Sequence, residues 1–187
     1  VKGSTILQGF SLGGRSALKF GLDHVDSVSN LLLNTPAIQG QADLDNKMPS
    51  SLGYQFNKAS QLRIFLTVGA DDYTYVGTVG QLAKILKMND ADIHYQAVLG
   101  LAHGLPAAAF TTKSKSFFDQ VNQAAVDAEI FDLQTTDYVC GGQFKPSIYI
   151  RNNGDSSLKE LNINYEIGNQ HSTYTWNGNL LPNKHLQ

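Results

Sequence analysis

Ser4-Thr5-Ile6-Leu7-Gln8, running directly into Gly9-Phe10-Ser11-Leu12-Gly13-Gly14, is the stretch that decides how the chain reads. A short apolar run of strand character meets a G-x-S-x-G string. Leu12 to Gly21 then continues as a helix carrying Leu12, Ala17, Leu18 and Phe20. Strand, tight turn and helix in immediate succession is the arrangement that lifts a serine hydroxyl clear of a sheet edge. Gly9 and Gly13 are expected to lack Cβ atoms that would collide in that turn, and Gly14 is expected to let the helix pack closely. The helix N-terminus brings the Leu12 N–H towards an oxygen that becomes negative in acyl transfer. The string alone arises by chance about 0.1 times in a chain of this composition, so its weight comes from its context.

Working outward, Val28 to Leu33 and Ile64 to Val68 are short apolar runs suited to strands buried on both faces. Gln39 to Ser60 mixes Asp, Asn, Pro, Ser and Gly and reads as a loop or small cap. Val76 to Met88 predicts a helix, Ile93 to Leu99 a strand, and Pro106 to Ala128 a further helix with Phe117, Phe118 and Val121. Alternating strands and helices imply a parallel sheet with helices on its faces, an α/β fold.

The character changes after Ala128. Residues 1–128 hold ten basic and ten acidic side chains, every acid an Asp, whereas the remainder supplies all the Glu. A boundary is expected near Glu129 to Val139, giving domains 1–128 and 129–187. Ser147 to Arg151 and Leu161 to Ile167 alternate with period two, and Asn153-Gly154 and Asn177-Gly178 read as turns. This is the pattern of the beginning of an antiparallel β-sandwich.

Composition excludes several classes. The 187 residues are 42% hydrophobic and 16% charged, with a formal net charge of -2, which offers no electrostatic reason for nucleic acid as a partner. No apolar run approaches the roughly 20 residues of a membrane span. The single Cys140 excludes an internal disulfide framework or a multi-cysteine metal cluster, and it reads as a small buried or surface thiol. No histidine–carboxylate spacing suggests a metal site and no phosphate loop is present, so neither metal nor cofactor is expected.

Two further segments stand where reactive groups collect, at the carboxyl ends of parallel strands. Gly69-Ala70-Asp71-Asp72 follows the strand Ile64 to Val68, and Gly100-Leu101-Ala102-His103 follows Ile93 to Leu99. Ser, Asp, His in that order is the α/β-hydrolase sequence. With these residues in place, the first part of the chain resembles the C-terminal half of an α/β-hydrolase of the esterase and lipase kind. The resemblance implies Ser11 as nucleophile, Asp72 as triad acid and His103 as base, with the Leu12 N–H in the oxyanion hole. Asp72 is preferred to Asp71 because the family's acid commonly lies three residues after a strand-ending glycine. The family's earlier strands and second oxyanion donor precede its nucleophile strand. The chain, opening at Val1, is therefore expected to be an internal piece of something longer and inactive alone.

The implied activity is ester cleavage through an acyl-enzyme. A serine peptidase of the same fold, or a non-catalytic binding or adhesion protein on a hydrolase scaffold, are the alternatives. The tail, Phe144-Lys145-Pro146-Ser147-Ile148-Tyr149-Ile150-Arg151-Asn152-Asn153-Gly154 and Tyr174-Thr175-Trp176-Asn177-Gly178-Asn179-Leu180, is similar to β-sandwich modules of secreted multidomain bacterial proteins. That similarity implies a secreted or cell-surface setting and a surface or carbohydrate contact through the module. Trp176 and Tyr174 are more simply read as core packing than as a sugar platform. His94 reads as packed or exposed in a strand, His24 as a residue past a helix end, and His171 and His185 as surface.

Overall fold

The computed structural model describes residues 5–107, 109–119, 125–134 and 146–187. The chain divides into two compact units, Val1–Asn122 and Gln123–Gln187, so the division falls a few residues ahead of the compositional change. Cys140 and Val121 lie outside the described residues.

The first unit runs β1 (Ile6–Phe10), α1 (Leu12–Asp23), β2 (Asn30–Asn34), α2 (Gln41–Leu44), a 3₁₀ helix (Phe56–Gln61), β3 (Arg63–Gly69), α3 (Val76–Met88), β4 (Asp92–Val98) and α4 (Ala109–Phe118). Its four strands form one parallel sheet in the order β1-β2-β3-β4. The α/β expectation therefore holds. Side chains alternate across the strands. Leu31, Leu33, Ile64, Leu66, Val68 and Ile93 pack in one core with Leu18 and Leu22 of α1 and Val79, Leu82 and Leu86 of α3. Each such side chain contributes about 1.5–3 kcal/mol by leaving water. Phe65, of opposite parity, meets Phe117 and Phe118 of α4 with ring centroids 5.8 and 6.5 Å away.

The turn from β1 to α1 shows which glycines matter. A Cβ on Gly9 would lie 2.3 Å from the Gly13 carbonyl oxygen, and one on Gly14 would lie 3.1 Å from Pro36 Cα. Gly13 is different: nothing stands within 4 Å of the place its Cβ would take. The expectation that Gly13 avoids a collision is thus corrected. The crowding falls on Gly9, over which the backbone of the first helical turn passes.

The expected helix over Pro106 to Ala128 is also corrected. α4 ends at Phe118, and Ala128 already belongs to a strand. Arg63 supplies a physical end point, because its Nη2 and Nη1 donate to the last carbonyls, Phe117 O at 2.7 Å and Phe118 O at 3.0 Å. Its Nε donates to Asp92 at 2.6 Å, so the cation is held where a helix C-terminus favours it.

The segment Gln39 to Ser60 is more than a loop. Arg15 of α1 reaches into it, Nη2 donating to Asp43 Oδ1 at 2.8 Å and to Ser50 O at 2.7 Å, and Nε donating to Tyr54 Oη at 3.2 Å. Asp43 is wholly buried and its second oxygen accepts the Gln39 N–H at 3.1 Å. Burial opposes the Arg15 charge, but the hydrogen bonds to Asp43 and Tyr54 outweigh it and hold its pKa above the ordinary value. Burial pushes the Tyr54 phenol up, so it keeps its proton while its oxygen accepts from Arg15.

The second unit contains an antiparallel sheet β5-β6-β9, from Ala128–Gln134, Ser147–Asn152 and His185–Leu186, and a two-stranded ribbon of β7 (Leu158–Ile167) with β8 (Gln170–Leu180). A small core of Ile150, Leu158 and Leu180 gathers Ile148, Leu161, Ile163, Trp176 and Leu186. The turn predicted at Asn177-Gly178 is corrected. Those residues lie inside β8, where the register gains one extra residue opposite β7, and the chain reverses instead at Gly168, φ 63°. At 178 the Trp176 ring occupies the space a side chain would take, 2.3 Å from where a Cβ would stand.

Two stability predictions follow from these contacts. Gly9→Ala should cost about 3 kcal/mol or more, since backbone rather than a side-chain tip must move. Gly13→Ala should be neutral or stabilising by up to about 1 kcal/mol, from helix propensity. Denaturant unfolding of the two variants reads the contrast. Asp43→Ala leaves the Arg15 cation buried and should cost about 3–5 kcal/mol and open residues 39–55 to limited proteolysis. Asp23→Ala, which removes a partly exposed pair with Lys19, should cost about 0.5 kcal/mol.

Candidate active site

Ser11 sits between β1 and α1 with φ 53° and ψ -121°, a conformation that costs a non-glycine residue about 1–3 kcal/mol. Its surroundings hold it there. The Ser11 N–H donates to Asn34 O at 3.2 Å, while its carbonyl accepts from the Arg15 N–H at 3.1 Å and the Ala37 N–H at 2.9 Å. Parallel register sets Asn34 beside Phe10 on one side and Thr67 on the other, and Thr67 Oγ1 donates to Asn34 Oδ1 at 2.8 Å. Thr35 follows with φ 41°, its N–H bonded to Thr67 O at 2.7 Å. It carries the only buried side-chain oxygen without a partner among the described residues. Two strained residues therefore stand side by side at the carboxyl ends of β1 and β2.

Asp72 follows the end of β3 and begins the turn into α3. It is 4% exposed, and its Oδ1 accepts the Tyr75 N–H at 3.3 Å. Asp71 is exposed, and its N–H is spent on Leu101 O at 3.0 Å. The loop after β4 turns at Gly100, φ 73°, and runs so close to β3 that a Cβ on Gly69 would lie 2.1 Å from Leu101 O. That approach delivers His103.

The three side chains meet. His103 Nδ1 lies 2.7 Å from Asp72 Oδ2, and His103 Nε2 lies 3.0 Å from Ser11 Oγ. With Nδ1 carrying the proton given to Asp72, Nε2 is the lone-pair nitrogen facing the serine hydroxyl. Such an arrangement can draw a proton from the hydroxyl as it attacks a carbonyl carbon. The Leu12, Gly13 and Gly14 N–H groups have no acceptor within the helix, the first intrahelical bond being Arg15 N–H to Ser11 O. They leave a donor-rich helix start directly after the serine.

The rings around His103 carried no sequence signal. Phe10 and Tyr75 have centroids 5.1 and 5.2 Å from the imidazole, at 37° and 39° to its plane. Both are ordinary apolar positions in a strand and a helix start, and only the tertiary fold gives them a common neighbour. Leu12, Tyr73 and Leu105, all exposed, each lie within two positions of Ser11, Asp72 or His103.

The other histidines have different neighbours. His94 stacks on Phe65 at 4.7 Å, His24 closes α1 against Phe20, and His171 faces Glu166 at 3.5 Å on the ribbon. His185, expected at the surface, is instead half-buried in a cluster with the Phe131 and Tyr149 rings. Trp176 packs in the small core, whereas Tyr174 is exposed. No described helix is long and apolar enough to cross a membrane.

No family model matches the chain, and no curated protein matches it either. Solved structures do. An uncharacterized protein from Bacillus cereus ATCC 10987 is 16% identical with a TM-score of 0.50, over 63% of this chain and 37% of that one. A capsule O-acetyltransferase of Neisseria meningitidis serogroup A is 18% identical with a TM-score of 0.39, over 61% of this chain and 55% of that one. The chain thus spans well under two thirds of either, and the first likeness speaks for the fold.

Proposed function

We propose that the first unit is the acyl-transfer portion of a serine hydrolase of the α/β-hydrolase type, cleaving a carboxylic ester through an acyl-enzyme. The observation that carries this reading is the continuous hydrogen-bonded series Asp72–His103–Ser11, drawn from three strand ends onto one strained serine. Ser11 Oγ attacks the carbonyl carbon while His103 Nε2 takes its proton. Asp72 holds the imidazole tautomer and stabilises the imidazolium, and the Leu12 N–H takes up part of the oxyanion charge. His103 then returns the proton to the departing alkoxide oxygen. Water attacks the acyl-enzyme by the same route and releases the acid. We extend the reading to a secreted or surface-attached protein, supported by the resemblance of the second unit's sequence to β-sandwich modules.

Fluorophosphonate labelling of the full protein, with the modified residue located by mass spectrometry, is the test. Labelling is expected at Ser11 and should vanish in His103→Ala. Ser11→Ala should abolish ester turnover, and Asp72→Asn should lower it by about 10⁴ through the wrong imidazole tautomer. A folded protein that stays unlabelled would instead indicate a hydrolase scaffold without hydrolase chemistry.

A further inference from the structure

The loop that carries His103 is held weakly by its own backbone. Leu101 is its last residue with a backbone hydrogen bond, through Leu101 N–H to Val98 O at 3.3 Å and Asp71 N–H to Leu101 O at 3.0 Å. Among the described residues, Ala102 to Ala107 add none. The imidazole is 39% exposed, so no enclosing core fixes it either. Its placement rests on side-chain contacts, of which the Asp72 hydrogen bond restrains one ring atom and leaves the ring plane to be set by something else. The bond to Ser11 Oγ does not serve throughout, because an acylated serine no longer donates.

We propose that Phe10 and Tyr75 are positioning residues that set the plane of the His103 ring and keep it in place while Ser11 is acylated. This rests on the serine hydrolase reading. The two rings come from different elements, Phe10 from the end of β1 immediately before Ser11, Tyr75 from the start of α3 three residues after Asp72. Each is therefore tied by the chain to the residue His103 must serve, and both meet the imidazole at about the same distance and tilt. Tyr75 is anchored independently, its N–H bonded to Asp72 O at 3.1 Å and Asp72 Oδ1 at 3.3 Å. Those bonds are backbone bonds that any residue at 75 retains. Aromatic faces also favour the imidazolium that forms when Nε2 takes the proton. The ring, not the phenol hydroxyl, is the working part.

The experiment compares wild type, Tyr75→Phe, Tyr75→Leu and Phe10→Leu in the full protein. The readouts are the fluorophosphonate labelling rate at Ser11 and the turnover of p-nitrophenyl acetate. Tyr75→Phe should behave as wild type. Tyr75→Leu should lose about tenfold or more in labelling rate and kcat, with KM unchanged, because the base is misaligned and the ester site is not. Phe10→Leu should show the same loss, so the inference does not hang on the folding of one variant. Leucine variants that label and turn over at the wild-type rate overturn this inference and leave the proposed function standing. A Tyr75→Phe variant as slow as Tyr75→Leu overturns it too, by assigning the effect to the hydroxyl. Absence of labelling in the wild type overturns the proposed function, and this inference with it.

Discussion

The backbone of Ser11 is the constraint on which the first unit turns. A serine at φ 53° and ψ -121° persists only where its neighbours over-determine it, and here the peptide groups of Asn34, Ala37 and Arg15 do so. Asn34 is in reach because β1 and β2 are paired in parallel with Phe10 level with Asn34. Arg15 is in reach because α1 starts at once. That start is possible because the Gly13 carbonyl can pass over Gly9 at a separation no Cβ would permit. Strand pairing, turn and helix are thus parts of a single local solution, and its strain is offset by the large apolar core beneath it.

A second close approach completes the site from the other side. The loop after β4 lies against Gly69 as tightly as the helix start lies against Gly9, and it positions Leu101 before the chain reaches His103. The two glycines lie next to last in β1 and last in β3 yet serve the same purpose, since each lets backbone enter space that a side chain would fill. Between them Phe10, Asn34 and Thr67 stand level in the sheet, the last two joined by a side-chain hydrogen bond. The hydroxyl, imidazole and carboxylate then come into line without any long side chain having to reach.

Two arginines in this unit tie segments together. Arg15 binds the segment after β2 to the helix that follows the serine, and Arg63 closes α4 while pairing with Asp92. In each case one guanidinium satisfies carbonyls that a loop or helix end would otherwise leave bare. Planar, multidonor chemistry suits that task better than an ammonium would. The second unit works differently. With only a small core, it relies on ladder hydrogen bonds, on cross-strand pairs such as Leu161 with Trp176, and on the packing of Trp176 over Gly178 along β8.

Ser11, Asp72 and His103 were legible in the chain because each stands at a strand end marked by glycine, and strand ends in a parallel sheet face one way. The alternation of short apolar runs with helical periods likewise determined the α/β layering, since a strand buried on both faces and an amphipathic helix leave distinct patterns. What stayed hidden depended on contacts distant in the chain. Whether Gly13 or Gly14 meets a neighbour depends on where Pro36 comes to lie, and α4 ends where Arg63 finds its carbonyls. Asn177-Gly178 has the composition of a turn, but a bulge and the ring of Trp176 claim it for a strand. Phe10 and Tyr75 are unremarkable as residues and become neighbours of one imidazole only through the fold. Local composition sets which conformations a segment favours, whereas a contact between residues far apart in the chain exists only once the sheet has brought their elements together.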